Sequence, residues 1–177
     1  MTENRVRRFT AADRSACLAN FDSNVPQYLH AAEPPEFAAS LAHVDRAWGS
    51  YLGNLDHGQP VTCGGVSLSA DPAEARLCWG LVHRADHGRG LGTALMQARL
   101  TLALSMPDVQ AVGNATCQHS KGFFASFGFR LTGQTPDLFD PRRLWPPTGL
   151  LRDDPAAVAQ NLTPTPPRAG VPGTDQG

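Results

Sequence analysis

Three glycines alternate with other residues in the stretch Gly88-Arg89-Gly90-Leu91-Gly92, which lies between a strand-like apolar run and a helical one. Glycine lets a backbone approach a ligand closely, and the N–H groups at a helix N-terminus form an anion site that the helix dipole reinforces. The pattern therefore predicts a loop that binds a pyrophosphate. A tight turn in front of a helix is the alternative that the glycines alone leave open.

The spacing of this glycine loop excludes two common nucleotide motifs. The dinucleotide-binding fingerprint requires a third glycine where Thr93 stands, and the strand before the loop follows a hairpin instead of starting a βαβ unit. A Walker loop ends in Gly-Lys-Ser or Gly-Lys-Thr, and this loop has no lysine. A third kind of phosphate loop remains.

Two helices are predicted at the start of the chain. An N-cap signature at Thr10–Asp13 precedes apolar residues at helical spacing, so the first helix should cover Ala11–Phe21 and be broken at Asp22–Asn24. A second helix is expected over residues 34–47, with a proline in its first turn. We interpret the break between the two helices as a wall of the substrate pocket.

Three strands should lead into the glycine loop. Residues 48–55 and 61–69 are expected to pair antiparallel through the turn at 56–59, and the third strand covers residues 76–83. Gly80 in the middle of the third strand indicates a bulge or the close approach of a ligand. Simple alternation would place four residues on one face of this strand: Ala75, Leu77, Trp79 and Leu81.

Behind the loop we expect a helix over residues 93–104, a strand over 109–116, a short helix over 120–127 closed by Gly128, and a further strand over 129–133. From Pro136 onward the chain holds nine of its fifteen prolines and few large apolar residues. We therefore expect one domain over residues 1–140 and a proline-rich, largely disordered tail over 141–177. A cut after about residue 150 should leave the fold intact.

Composition argues against several classes of partner. Fifteen Lys and Arg against sixteen Asp and Glu give a net charge of −1, which disfavours binding to nucleic acid or to an anionic membrane. The four cysteines form no Cys-x-x-Cys pair, and no cluster of Cys and His has the spacing of a metal site, so we expect no metal. No signal peptide or membrane span is recognisable, and we expect a cytoplasmic protein.

With these elements the chain resembles the GNAT acetyltransferases, whose coenzyme loop reads Arg/Gln-x-x-Gly-x-Gly/Ala between a strand and a helix. Gly90 and Gly92 match that loop, with His87 at its first position, and the resemblance extends downstream through the segments 116–120 and 127–129. It covers roughly residues 7–133. It implies an α/β fold with a mixed, mostly antiparallel central sheet and helices on both faces.

The resemblance also implies an activity, the transfer of an acetyl group from acetyl-CoA to a primary amine by direct attack in a ternary complex. The backbone of the third strand would pair with the pantetheine arm, and the glycine loop would hold the pyrophosphate. The residues implied in coenzyme binding are Leu81, Val82, His87, Gly88, Arg89, Gly90, Leu91, Gly92, Thr93, Gln118, Ser120 and Phe124.

Three positions depart from the family pattern. His87 stands where the family has Arg or Gln, and Phe124 stands where many members place a tyrosine that protonates the leaving thiolate. Arg76 stands where some members carry a glutamate base, so Glu74, two residues earlier on the same face, is the candidate for that base. A GNAT-like protein that binds acyl-CoA as a sensor is therefore the main alternative, and a binding module without CoA is a third.

The acceptor is expected to be a small-molecule or peptide amine. Asp22, Asn24 and Tyr28 lie in the helix break that lines the acceptor pocket in this resemblance, and they are candidates for orienting the amine. Capping of the helix break by its own Asp and Asn is the alternative. The sequence leaves the identity of the amine open, and it leaves open a homodimer.

Overall fold

The computed structural model describes residues 5–43, 50–56, 58–115, 120–131, 135–136, 144–145 and 147–151. Its helices are α1 (Arg14–Asn24), α2 (Pro34–His43), α3 (Leu91–Ser105) and α4 (Lys121–Ser126), with short 3-10 turns at Ala11–Asp13 and Arg84–Asp86. Its strands are β1 (Arg5–Arg8), β2 (Ser50–Asp56), β3 (Gln59–Leu68), β4 (Glu74–Val82), β5 (Ala111–Ala115), β6 (Arg130–Leu131), β7 (Thr135–Pro136), β8 (Leu144–Trp145) and β9 (Pro147–Leu151).

Seven of these strands form one sheet in the order β1-β2-β3-β4-β5-β9-β6, and β7 pairs with β8 separately. The pairing of β4 with β5 is parallel, and the other pairings are antiparallel. A parallel pair needs a long crossover connection, and α3 lies within that connection. The expected α/β fold with a mixed, mostly antiparallel sheet is confirmed.

Two apolar clusters cover the two faces of the sheet. The first joins α3 and α4 to the sheet and contains Val66, Ala75, Leu77, Met96, Leu100, Ala103, Val109, Val112, Phe124, Phe127 and Phe129. The second joins α1 and α2 to the other face and contains Cys17, Phe21, Phe37, Leu41, Cys63 and Leu81, with Trp79 packed against it. Each helix pair thus has its own core, and the sheet separates the two.

The entry into α1 is fixed by an ion pair. Arg7 donates to both carboxylate oxygens of Asp13 at 2.7 Å, and the Thr10 backbone N–H donates to the same carboxylate at 2.8 Å. The hydrogen bond from Arg7 lowers the pKa of Asp13 to about 2. The predicted N-cap signature is therefore present as a capping box, with Asp13 as its acidic member.

Most predicted boundaries shift by one to three residues, and residues 44–47 of the second expected helix lie outside the described part of the chain. Two further differences change the architecture. Helix α1 continues to Asn24 instead of breaking at Asp22, because the polar residues of its last turn bond to carbonyl oxygens within reach and do not terminate it. Pro147–Leu151 lies in the segment expected to be a tail, yet it forms strand β9 between β5 and β6. The sheet therefore extends past residue 140. Pro147 takes the first position of its strand, where proline is tolerated.

Candidate functional site

The described pairing between β4 and β5 covers only the first half of β4. Their parallel register runs from Glu74–Ala111 to Leu77–Asn114, and β4 then continues to Val82. Among the described residues, no strand pairs with this second half of β4 on its β5 side. Within the described ranges this edge of β4 is therefore open, and an open strand edge can receive an extended ligand through backbone hydrogen bonds.

A bulge lies where β4 leaves β5. Cys63 pairs with Leu81 and Gly65 with Cys78, so two residues of β4 stand opposite one of β3. Trp79, inside the bulge, has a φ of 45°. The bulge that we expected near Gly80 is present.

Beyond the bulge, the side chains of β4 point to the opposite face of the sheet from the one that simple alternation predicts, and this corrects the expectation from the sequence. Ala75 and Leu77 pack in the α3–α4 cluster, whereas Trp79 and Leu81 belong to the α1–α2 cluster on the opposite face. The extra residue shifts the period-two pattern by one position. One strand therefore contributes to both cores.

Backbone geometry decides which peptide groups face the gap. The His83 N–H donates to Val61 O in β3 at 2.8 Å, and alternate residues of a strand direct their polar groups to the same side. The N–H and C=O of Leu81 are therefore turned towards β3, and those of Gly80 and Val82 are turned towards the gap. Of the two expected contacts on β4, this geometry favours Val82 over Leu81 and adds Gly80.

The glycine loop leads from β4 into α3. Gly88 and Gly90 have φ angles of 78° and 79°, in the left-handed region that favours glycine, and no atom lies within 4 Å of a Cβ built on either. Gly90 is the N-cap, and the first helical hydrogen bond runs from Ala94 N to Gly90 O at 3.1 Å. The N–H groups of the first turn of α3, at residues 91–93, precede that bond and point out of the helix end. This is the geometry of an anion site.

Charged and aromatic side chains form contacts within and beside the loop. Arg89 forms an ion pair with Asp86, and His83 Nδ1 lies 3.7 Å from the same carboxylate. His87 Nε2 lies 3.0 Å from Val82 O, and the ring of Tyr28 packs against the His87 ring with centroids 5.4 Å apart. His87 thus contacts the end of β4 by its side chain, while Asp86 offsets part of the charge of Arg89.

The three expected acceptor residues have different environments. Asn24 is buried, with 4% of its surface exposed, and its amide donates to Val82 O at 2.9 Å and to Asn20 O at 2.8 Å. Asp22 is exposed on α1, and Tyr28 lies beside His87. The structure therefore brings Asn24 and Tyr28 to the glycine loop and the end of β4. There the side-chain amide of Asn24 joins α1 to the end of β4.

The candidate base Glu74 lies at the start of β4. Its carboxylate is 3.4 Å from the guanidinium of Arg76, and the Glu74 and Arg76 side chains are 31% and 60% exposed. A Cβ on Gly113 of β5 would overlap the Glu74 carboxylate. The glycine at this position of β5 makes room for that carboxylate against the neighbouring strand.

The short helix α4 carries the remaining expected coenzyme residues. Phe124 is 9% exposed and packs edge-on against Phe129, so its ring belongs to the core. Ser120 is the N-cap of α4, and its side chain makes no capping hydrogen bond. Phe123 is exposed, and its ring lies 3.8 Å from a Cβ built on Gly92. Gln118 lies outside the described residues.

One residue with a distinctive position was missed at the level of sequence. Arg99 of α3 is 3% exposed and lies behind the bulge, where its guanidinium bonds to Gly65 O and Cys78 O. The signal was available in the sequence, since Arg99 falls on the apolar stripe that includes Leu95 and Met96. An arginine on a buried stripe is uncommon unless it has fixed partners.

Neither thiol chemistry nor a metal site is apparent in the described part of the chain. Cys17 and Cys63 are buried side by side, and the hydrogen bond from Cys63 together with burial raises the pKa of Cys17. No group of three or more His, Cys, Asp or Glu side chains in the described ranges could hold a metal ion. No helix in those ranges combines the length and the apolar character needed to cross a membrane.

Comparison with known proteins identifies relatives of this arrangement. The profile of the acetyltransferase (GNAT) family matches residues 18–129. No curated protein matches the sequence significantly. The matched range includes most of α1, the second half of β4, the glycine loop and α4.

Solved structures of similar fold are numerous. An N-acetyltransferase from Staphylococcus aureus Mu50 is 15% identical, with a TM-score of 0.71 over 84% of this chain and 98% of that one. The yncA protein from Salmonella typhimurium, solved with its cofactor acetyl-CoA, is 16% identical, with a TM-score of 0.67 over 85% and 94%. GphF, a GNAT-like decarboxylase in complex with isobutyryl-CoA, is 15% identical, with a TM-score of 0.65 over 84% and 99%.

Proposed function

Because the chain belongs to the GNAT acetyltransferase family, we propose that it transfers an acetyl group from acetyl-CoA to a primary amine by direct attack in a ternary complex. The observation that carries the proposal is the pairing of two features: the open edge of β4 and the anion site at the N-terminus of α3. An elongated ligand with an amide-containing arm and a pyrophosphate requires both together. Acetyl-CoA has this form, and one structural neighbour was solved with it.

The residues present suit this ligand. The peptide groups of Gly80 and the N–H of Val82 offer backbone partners to the pantetheine arm, in the manner of an added strand, while the Val82 carbonyl is bound by Asn24 and His87. The loop from Gly88 to Thr93 has positive-φ glycines with open space around them, so a pyrophosphate can approach its N–H groups. The coenzyme supplies an activated thioester, and the chain supplies orientation and hydrogen-bond donors.

The chemistry requires that an amine lose its proton before it attacks the thioester carbon. A C–N bond then forms, the C–S bond breaks, and the proton passes to the leaving sulfur or to water. Glu74 lies at the start of β4, away from Gly80 and Val82, and is the candidate to accept the proton through water. Phe124 has no proton to give, but a thiol with a pKa near ~8.5 is a fair leaving group without an acid.

The acceptor is proposed to be a small-molecule or peptide amine. The end of α1 and the segment that holds Tyr28 form one side of the site, close to His87. The moderate charge of the chain gives no field that would select a strongly acidic or basic partner. The class of amine is left to the experiment.

A second candidate is an acyl-CoA-binding protein with little or no acetyl transfer. The absence of a tyrosine at Phe124 and of a glutamate at Arg76 favours it, and a decarboxylase among the structural neighbours indicates that this fold supports other acyl-CoA chemistry. It shares the coenzyme site and differs only in turnover.

The test combines binding with turnover. Thermal unfolding of the purified protein with and without saturating acetyl-CoA measures binding, because a ligand of the native state raises the Tm. Release of free CoA over a panel of small amines, polyamines, amino acids and short peptides then measures transfer. Binding with turnover supports the acetyltransferase, binding without turnover supports the second candidate, and no binding contradicts both.

A further inference from the structure

Arg99 is a buried cation that lies directly behind the backbone of β4. Its guanidinium donates from Nε and Nη2 to Gly65 O at 3.1 and 3.0 Å, and from Nη2 to Cys78 O at 3.1 Å. These two carbonyls belong to the strand pair at the edge of the bulge. Arg99 therefore joins both strands at the point where their register shifts.

Two glycines make room for this side chain. A Cβ on Gly64 of β3 would lie 3.0 Å from Nε of Arg99, and a Cβ on Gly80 of β4 would overlap Nη1. The guanidinium thus fills a slot that glycines leave open on both strands. The slot also brings it against the Cα of Gly80, whose peptide groups face the gap on the other edge of the strand.

A buried guanidinium is a costly way to fill space. An apolar side chain at this position of α3 would avoid the desolvation of a charge, and exchanging buried ionic groups for apolar ones is often neutral or stabilising. The donors of Arg99 instead fix two carbonyls around a residue, Trp79, whose backbone has a positive φ. An unusual backbone conformation is held when its surroundings determine it.

We infer that Arg99 is a positioning residue for the transfer site: it fixes the bulge at Trp79–Gly80 from behind the sheet and so orients the peptide groups of Gly80 and Val82 that receive the coenzyme. The effect of Arg99 on coenzyme affinity rests on the proposed function. Its effect on the geometry of the bulge does not depend on any ligand. Arg99 touches neither reactant in this assignment.

The first experiment measures acetyl-CoA binding by calorimetry in Arg99→Met, Arg99→Lys and the wild type. We expect Arg99→Met to weaken affinity roughly tenfold, about the effect of one misplaced hydrogen bond, and Arg99→Lys to restore part of the loss. Arg8→Met, at an exposed arginine of the edge strand β1, is the matched control and should bind like the wild type. Wild-type affinity in folded Arg99→Met overturns the inference.

The second experiment is a double-mutant cycle with Gly80. Gly80→Ala should weaken binding in the wild type, because its methyl group displaces the guanidinium, and should have less than about a threefold further effect in Arg99→Ala, where the slot is empty. Gly122→Ala, with open space around its Cβ, is the control for a glycine substitution. Additive effects of Gly80→Ala and Arg99→Ala would overturn the inference.

A third readout needs no ligand. The amide NMR signals of Trp79 and Gly80 in the apo protein should shift in Arg99→Met and return towards the wild type in Arg99→Lys. If Arg99→Met does not fold, Gly80→Ala decides in its place, because its methyl group displaces the guanidinium, and wild-type affinity in Gly80→Ala contradicts the inference. If the wild type itself does not bind acetyl-CoA, the proposed function fails, and the amide signals decide whether Arg99 fixes the bulge.

Discussion

The side-chain amide of Asn24 lies 2.9 Å from the carbonyl oxygen of Val82, and so joins the last turn of α1 to the open end of β4. The same carbonyl lies 3.0 Å from Nε2 of His87. A polar group that faces the gap is thus held by one residue of the helix and one residue of the glycine loop. The position of the strand end is coupled to both.

Asn24→Ala should therefore lower stability by about 1–3 kcal/mol, the usual cost of leaving buried polar groups without their partner, and also weaken acetyl-CoA binding. Asn20→Ala is the matched control, since Asn20 is equally buried but bonds to Pro60 O in β3 at 3.1 Å. It should lose stability without losing affinity. Urea unfolding and calorimetry separate the two effects, and equal affinity in both variants would refute the coupling.

Gly90→Glu should abolish acetyl-CoA binding without unfolding the protein. A side chain at Gly90 enters the space through which the pyrophosphate approaches, and its carboxylate adds like-charge repulsion. Gly58→Glu is the matched control, because Gly58 in the β2–β3 turn has the same φ of 79° and equally open surroundings. Both variants carry a strain of about 1–2 kcal/mol, but only Gly90→Glu should lose the ligand-induced rise in Tm. If Gly90→Glu kept the ligand-induced rise in Tm, the coenzyme would not bind at this loop.

Glu74→Gln should lower kcat/KM by ~10²–10⁴ with coenzyme affinity unchanged, if Glu74 accepts the proton of the amine. Steady-state kinetics with an amine identified by the panel checks this expectation. Glu36→Gln, at an exposed glutamate of α2, should leave the kinetics as they are. A change of less than about threefold in Glu74→Gln would assign the proton to water or to another residue.

Strand β9 should be needed for folding. A chain ending after residue 146 lacks the strand between β5 and β6 and should lose several kcal/mol, a large share of the ~5–15 typical of a domain. A chain that ends after Leu151 retains the whole register and should melt close to the full-length protein. Thermal unfolding of the two truncated chains makes the comparison. Equal melting of both would mean that β9 adds little to the fold.

Acid should weaken the start of α1 in a defined range of pH. The pKa of Asp13 is about 2 in the folded protein and ~3.9 when unfolded, so its contribution is present above about pH 4 and is lost as the pH falls towards 2. Because Arg7 is about one-third exposed, we expect Asp13 to contribute about 1 kcal/mol to the free energy of unfolding, less than its full pKa shift would correspond to. Urea unfolding between pH 5 and about 2.5 should show a smaller pH dependence in Asp13→Asn. An identical dependence in both proteins would contradict the assignment.

Local sequence signals predicted the elements that local chemistry determines. The N-cap signature before α1, the glycine at the N-cap of α3 and Gly128 after α4 marked helix ends that the structure contains. Gly80 indicated the bulge, because a glycine inside an apolar strand needs a reason. Each of these signals lies within a few residues of its effect.

Other features depend on contacts between distant parts of the chain. Strand β9 has little strand propensity of its own and is formed by pairing on both sides, which no local pattern in Pro147–Leu151 indicates. The roles of Arg99 and Asn24 follow from carbonyls that lie 34, 21 and 58 residues away. The reversed facing of Trp79 follows from a single extra residue, which shifts every later position on the strand.

The position of β9 also dictates an order of assembly on the ribosome. When the nascent chain has reached Leu131, the residues of β5 and β6 have been made, but β9, with which both of them pair, has not. The β5 edge that β9 covers stays unpaired until residues 147–151 have emerged, and in the described structure β6 is joined to the sheet through β9. Until then that edge can pair with another chain, so chains that end before β9 carry an open strand edge and its risk of aggregation.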